Sequence, residues 1–188
     1  KENTLASFKV NGNSIETDSD KNLLAFLRDD LKIKSAKDGC SEGACGACSV
    51  LVDGVSRRAC TINVRELDGR DVLTMEGLSD YEKEVYAYCF SMAGAVQCGF
   101  CIPGMVISAK ALLDKNNDPD KAEIKKAIAG NVCRCTGYKK IIEAIGMAAA
   151  FFRDNLAVPA GSTEGRIARD VFRIDAVGKV LGTGEYAD

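Results

Sequence analysis

An α+β fold is predicted: a small β-sheet with one helix over residues 1–78, four helices over 79–155, and a linker and tail over 156–188. Three observations carry it. The pairs Asn11-Gly12 and Asp53-Gly54 interrupt loosely alternating apolar stretches, which is a strong short-range hairpin pattern. After Glu76-Gly77-Leu78 the apolar spacing becomes that of amphipathic helices. From Val158 to Arg169 the residues turn small and polar around Pro159, Gly161 and Gly165, a linker composition.

The first hairpin is expected from Thr4–Val10 and Ser14–Thr17, because Asn and Gly tolerate the positive φ that both central positions of a tight hairpin turn require. Asp20 is expected to cap a helix over Lys21–Leu31, whose Leu23, Leu24, Leu27 and Leu31 share one face and should lie across the sheet. Ser49–Val52 and the stretch from Val55 onward form the second hairpin, and Asp71–Thr74 closes the sheet. Four helices follow, at Asp80–Ala93, Pro103–Leu113, Pro119–Ala129 and Lys139–Asn155. Pro119 at a helix start and Gly130 just past a helix end fit the usual asymmetry of these residues, and Asn116-Asn117-Asp118 is turn chemistry. Asp170–Asp188 reads as the beginning of further structure.

Composition removes several function classes. Lys and Arg number 25 against 27 Asp and Glu, so the net charge of −2 supplies no cationic field for nucleic acid or an anionic membrane surface. No run approaches the ~18 apolar residues of a membrane span, and Lys1–Val10 lacks the apolar centre of a signal peptide. A cytoplasmic protein is expected. Histidine is absent, which removes Cys/His zinc fingers, Rieske centres, haem ligation by His and His-based acid–base catalysis. The nine cysteines are an odd count, and in a reducing cytosol closely spaced thiolates hold metal more often than they form disulfides.

Cys40, Cys45, Cys48 and Cys60 stand at C-x4-C-x2-C-x11-C, whose first three positions reproduce plant-type ferredoxin spacing. A [2Fe–2S] cluster needs four thiolates and backbone N–H groups turned toward its sulfurs, so the loop must wrap closely. Gly39, Gly43 and Gly46 among the ligands permit that approach. Cys98 and Cys101 form C-x2-C, and Cys133 and Cys135 form C-x-C on a later turn. Taken alone, these two pairs suit a structural zinc site as well as a second cluster. Cys89 belongs to neither set; among Tyr81, Val85, Tyr86 and Met92 it is expected to be a packed, inert thiol. Asp38 and Glu42 are expected to be solvated, and Arg134 either pairs with sulfur charge, reaches a partner or is solvated.

The segments Ser41–Val50, Gln97–Met105 and Asn131–Tyr138 occur in the order found in the iron–sulfur part of the xanthine dehydrogenase and aldehyde oxidoreductase family of molybdenum hydroxylases, which the chain resembles over Thr4–Phe152. The resemblance implies an N-terminal β-grasp ferredoxin-like domain and an all-α four-helix-bundle domain, each holding one [2Fe–2S] cluster. It implies that Cys40, Cys45, Cys48 and Cys60 bind the first cluster and Cys98, Cys101, Cys133 and Cys135 the second. The second would lie nearer a molybdopterin-type molybdenum cofactor held by a partner domain or subunit. Gln97 matches the glutamine that hydrogen-bonds the pterin, and Cys135 the ligand position nearest to it. The implied role is electron transfer from the molybdenum site through both clusters to a flavin or external acceptor, with the chemical step elsewhere and no catalytic residue in this chain. A flavin such as FAD, if used, would sit on another subunit. Arg173-Ile174-Asp175-Ala176, Lys179-Val180, Gly182 and Tyr186 resemble the opening of the family's molybdenum-binding part; the plain alternative is a terminal strand docked on a partner. Two other classes share part of the pattern, a free-standing ferredoxin-like carrier and a zinc scaffold.

Overall fold

Alternation along Ala6–Val10 (β1) puts Ala6, Phe8 and Val10 inside and Ser7 and Lys9 outside. In this computed structural model, which describes residues 5–159 and 173–186, β1 pairs antiparallel with Asn13–Thr17 (β2), Phe8 facing Ile15. Asn11 and Gly12 between them take φ of 51° and 81°. The same device, Asp53 and Gly54 at 49° and 74°, joins Ser49–Val52 (β3) to Val55–Arg58 (β4). Asp71–Leu73 (β5) does more than close the sheet. It lies in the middle, parallel to β1 and antiparallel to β3, giving the order β2-β1-β5-β3-β4.

The helix on the sheet starts later than predicted. Leu23–Ala25 (α1) is α-helical and continues as a wider π turn over Phe26–Asp30, with Asn22 rather than Asp20 as cap, its side chain accepting the Ala25 N–H at 2.9 Å. The reason is non-local. The Leu23 N–H donates to the Ile62 carbonyl at 2.8 Å and the Val64 N–H to the Lys21 carbonyl at 3.1 Å, so Lys21 and Asn22 are engaged in an extended pairing with Asn63 and cannot join the helix. Leu23, Leu24, Phe26 and Leu27 then bury against Val10, Val50 and Val72 to form the first core.

A second core is helical. Asp80–Met92 (α2) opens with a capping box in which Ser79 and Glu82 satisfy each other's backbone N–H groups. Ile102–Leu113 (α3) is almost wholly buried. Lys121–Ala127 (α4) begins after Pro119; its cap is Asp120, whose carboxylate accepts the Glu123 N–H at 2.8 Å, a stronger terminator than the proline on which the predicted start relied. Lys139–Asp154 (α5) ends at Asn155, with φ of 47°. Val85, Phe90, Met105, Ile107, Ile124, Ile141 and Ile145 fill the interior, and the Tyr86 and Phe152 rings meet edge to face at 5.2 Å.

Residues 160–172, most of the expected linker, lie outside the described residues. Beyond them Ala176–Leu181 (α6) is a helix, where a terminal strand was the alternative reading. Ala176 and Val180 are buried, α6 packs on α2 and α3, and Gly182 ends it at φ 79°. The chain thus has a mixed architecture of one five-stranded sheet and six helices among the described residues, with β3 and α3 in contact where the two cores meet. No described helix is long and apolar enough to cross a membrane.

Candidate iron–sulfur centres

The eight cysteines of the two predicted sets stand on loops that touch, in two groups. The loop from Gly39 to Cys48 carries three of the first set and reaches Cys60 on the turn after β4. Its backbone points inward: the Glu42 and Cys45 N–H groups approach the Cys40 sulfur at 3.5 and 3.4 Å, and the Gly43 N–H approaches the Cys60 sulfur at 3.2 Å. These donors favour thiolate. The N–H groups of Glu42 and Cys45 pull the Cys40 thiol down to about 7, whereas burial pushes Cys48 up to about 12. A buried thiol of that kind ionises only with a cation to compensate it, as a metal-bound thiol does.

The second group comes from the turn before α3 and the turn before α5. Burial raises the Cys101 thiol, while Cys133, although also pushed up by burial, ends below its ordinary value because the Thr136 hydroxyl and the Cys135 and Thr136 N–H groups hydrogen-bond it. Thr136 Oγ1 lies 3.1 Å from Cys133 Sγ. The Tyr138 hydroxyl accepts the Cys133 N–H at 2.9 Å and donates to the Asn131 carbonyl at 3.2 Å, holding the turn closed. Sequence reasoning assigned neither Thr136 nor Tyr138 a role, although both stand in the quoted Asn131–Tyr138 segment.

Cys98 Sγ and Cys135 Sγ lie 3.6 Å apart, and Cys40 with Cys45, Cys48 with Cys60 and Cys101 with Cys133 are near enough to shift each other's ionisation. Four cysteines can hold either of two metal groups. A single tetrahedral zinc with bonds of ~2.3 Å needs all four sulfurs within about 3.8 Å of one another. A [2Fe–2S] group takes two thiolates on each iron, and two pairs per quartet are the donor arrangement it fits.

The other predicted residues are placed as follows. Gln97, Cys98, Arg134 and Cys135 are exposed, and Cys101 is buried. Cys89 is buried in the helical core with its thiol pushed up to about 12 by burial. Asp38 accepts the Ser41 hydroxyl at 2.7 Å, and Glu42 is exposed. The tail reaches the second group: Arg173 Nη1 and Lys179 Nζ donate to the Gln97 carbonyl at 3.0 and 3.3 Å, and the Tyr186 hydroxyl donates to the Cys98 carbonyl at 3.0 Å.

The two cysteine loops touch. The Val132 N–H donates to the Cys45 carbonyl at 2.8 Å, one residue from Cys133, and Arg58 Nη2 donates to the Gly130 carbonyl at 2.8 Å. Gly39 has no room for a side chain, since a Cβ there would lie 3.0 Å from the Cys45 sulfur and 3.4 Å from the Phe100 ring. Arg58 had no sequence pattern that could have exposed it.

Residues 3–84 match the family described as 2Fe-2S iron-sulfur cluster binding domain, and residues 74–146 the [2Fe-2S] binding domain. Together with the paired sulfurs this defines an electron-transfer protein of the iron–sulfur class. The chain is 49% identical to the nicotinate dehydrogenase small FeS subunit of Eubacterium barkeri, over 70% of this chain and 85% of that one. The aldehyde oxidoreductase structure from Desulfovibrio desulfuricans superposes with a TM-score of 0.86 at 36% identity, covering 97% of this chain but 21% of that much longer one. Quinoline 2-oxidoreductase from Pseudomonas putida gives 0.73 at 34% identity, covering 82% of this chain and 98% of the matched chain. The chain belongs to the xanthine dehydrogenase and aldehyde oxidoreductase family of molybdenum hydroxylases, as its iron–sulfur component.

Proposed function

We propose that Cys40, Cys45, Cys48 and Cys60 hold one [2Fe–2S] cluster and Cys98, Cys101, Cys133 and Cys135 another, one on each side of the junction. The single observation that carries this is the convergence of each quartet's loops on its sulfurs, with the Glu42, Gly43 and Cys45 N–H groups turned on the sulfurs of Cys40 and Cys60 and with Cys98 and Cys135 Sγ 3.6 Å apart. Each group, when bound, accepts and releases one electron. The chain's own residues fix the thiolates, supply N–H donors to Cys40 and Cys60, and close the turns around Cys133 through Tyr138 and Thr136.

Residues 1–78 are read as a β-grasp ferredoxin-like domain and 79–155 as a four-helix-bundle domain, which the separate sheet and helix cores support. The exposed edge of Gln97, Cys98 and Cys135 is where a partner carrying a molybdenum–pterin cofactor would meet the chain, Gln97 and Cys135 toward the pterin. A flavin-bearing subunit or external acceptor belongs at the opposite, Cys40 side. Reduced thiols in such number fit the cytoplasm. The oxidation of a substrate is assigned to the partner.

Reductive titration of the purified chain under argon tests the reading. Uptake of about two electrons per chain is expected, with the Cys45→Ser variant taking up about one. A chain that bleaches no visible absorbance on reduction would overturn it.

A further inference from the structure

Asn131 is not among the proposed ligands, yet it is 3% exposed and sits where the two cysteine loops meet. Its Nδ2 donates to the Gly46 carbonyl at 2.8 Å and toward Ser49 Oγ at 3.3 Å, both on the loop of the first quartet. Its Oδ1 accepts the Ser108 hydroxyl of α3 at 2.8 Å. The orientation of the amide is fixed from both sides. A carbonyl can only accept, so the NH2 end must face Gly46; Ser108 gives its proton to Oδ1, leaving Ser56 of β4 as donor across the 3.2 Å contact between the two hydroxyls. Ser49 and Ser108 are also buried, so this is an interior network in which both ends of the amide have partners.

The network spans both cores. Gly46 stands between Cys45 and Cys48, Asn131 two residues before Cys133, and the Val132 N–H to Cys45 carbonyl bond runs alongside. Backbone approaches backbone here: a Cβ on Gly46 would strike the Gly130 carbonyl, and one on Gly104 at the start of α3 would strike the Gly46 carbonyl. Where backbone meets backbone this closely, the separation is set by the directed hydrogen bonds across the seam, from the Val132 N–H, from Arg58 Nη2 and from the Asn131 amide.

We propose that Asn131 is a positioning residue that fixes the separation and mutual orientation of the two iron–sulfur centres, by clamping the Gly46 carbonyl of one cysteine loop to the Cys133 turn of the other. It rests on the ligand reading above. The role differs from coordination, since Asn131 holds one loop against the other.

The test uses the cluster-loaded chain, with both centres reduced by dithionite and examined by electron paramagnetic resonance. Two nearby reduced centres, each with one unpaired spin, split each other's lines. Asn131→Ala removes the whole clamp, and Asn131→Asp keeps the acceptor for Ser108 while losing the Nδ2 donor. Iron content and the presence of both spectra report on the ligand reading; the splitting reports on the spacing. Expected is retention of iron and both spectra, with loss of the wild-type splitting in both variants. Ser79→Ala, which weakens α2 far from the seam, is expected to keep the splitting. Unchanged splitting in iron-loaded Asn131→Ala and Asn131→Asp overturns the proposal. Loss of iron from both variants overturns it too, because the residue would then serve folding rather than spacing.

Discussion

Replacing Gly46 by alanine tests the loop junction with little chemical change. Gly46 has φ of 70°, where an L-residue costs about 1 kcal/mol more than glycine. Its added Cβ would also collide with the Gly130 carbonyl and lie 2.8 Å from Asn131 Nδ2 and 3.0 Å from Asn131 Cα. Two of these three neighbours are backbone atoms, which cannot swing aside, so an overpacking cost of ~1–3 kcal/mol is added. The sum is about 2–4 kcal/mol. Gly54→Ala is the matched control: its φ is 74°, and nothing lies within 4 Å of the new Cβ, so only the ~1 kcal/mol backbone cost remains. For a chain of this size each kcal/mol moves Tm by about 2–4 °C. Anaerobic thermal melts of the cluster-loaded proteins at one scan rate should therefore put Gly46→Ala roughly 5–15 °C below wild type, and Gly54→Ala only ~2–4 °C below. If the two variants melt together, the loops are not packed as described.

Further outcomes follow from single contacts. Ser79→Ala removes the side-chain half of the α2 capping box and should cost about 1 kcal/mol in denaturant unfolding, with iron unchanged. Cys89→Ala should leave iron content and both spectra as in wild type, since its buried thiol lies outside both quartets; loss of iron would refute this. Glu82 is pushed up by burial, but the hydrogen bonds from Lys110 at 2.6 Å and from Ser79 outweigh this and hold its carboxyl below the ordinary value. A depressed carboxylate contributes stability above its unfolded pKa of ~4.3 and loses it as pH falls through the lower folded value. Lys110, raised by Glu82 and Asp114 against its own burial, contributes below ~10.4 and loses that as pH rises through its folded value. Glu82→Gln should therefore lower Tm across neutral pH, with the gap to wild type closing as the pH drops below about 4. A gap independent of pH would show that the pair is not ionised as drawn.

What could be read from the sequence was what is local. Asn11-Gly12 and Asp53-Gly54 encode their turns in two residues each, and α2 begins at Asp80 as predicted because Ser79 and Glu82 are its own neighbours. Cysteine spacing singled out the first four thiols, and the family resemblance the other four. The departures at α1, β5 and α6 trace to partners distant in sequence. The start of α1 is decided by the Ile62 carbonyl, the central place of β5 by its pairing with both β1 and β3, and the helical form of residues 176–181 by packing on α2 and α3. Asn131 was visible within a motif, but its function depends on Gly46, Ser49 and Ser108, and no spacing rule connects those four.

Iron, zinc and acid-labile sulfide measured on one freshly prepared anaerobic sample bear most directly on the paired-sulfur centres. About four irons and about four sulfides per chain with negligible zinc are predicted. Roughly stoichiometric zinc with no labile sulfide would mean that the cysteine quartets are scaffolds rather than redox centres.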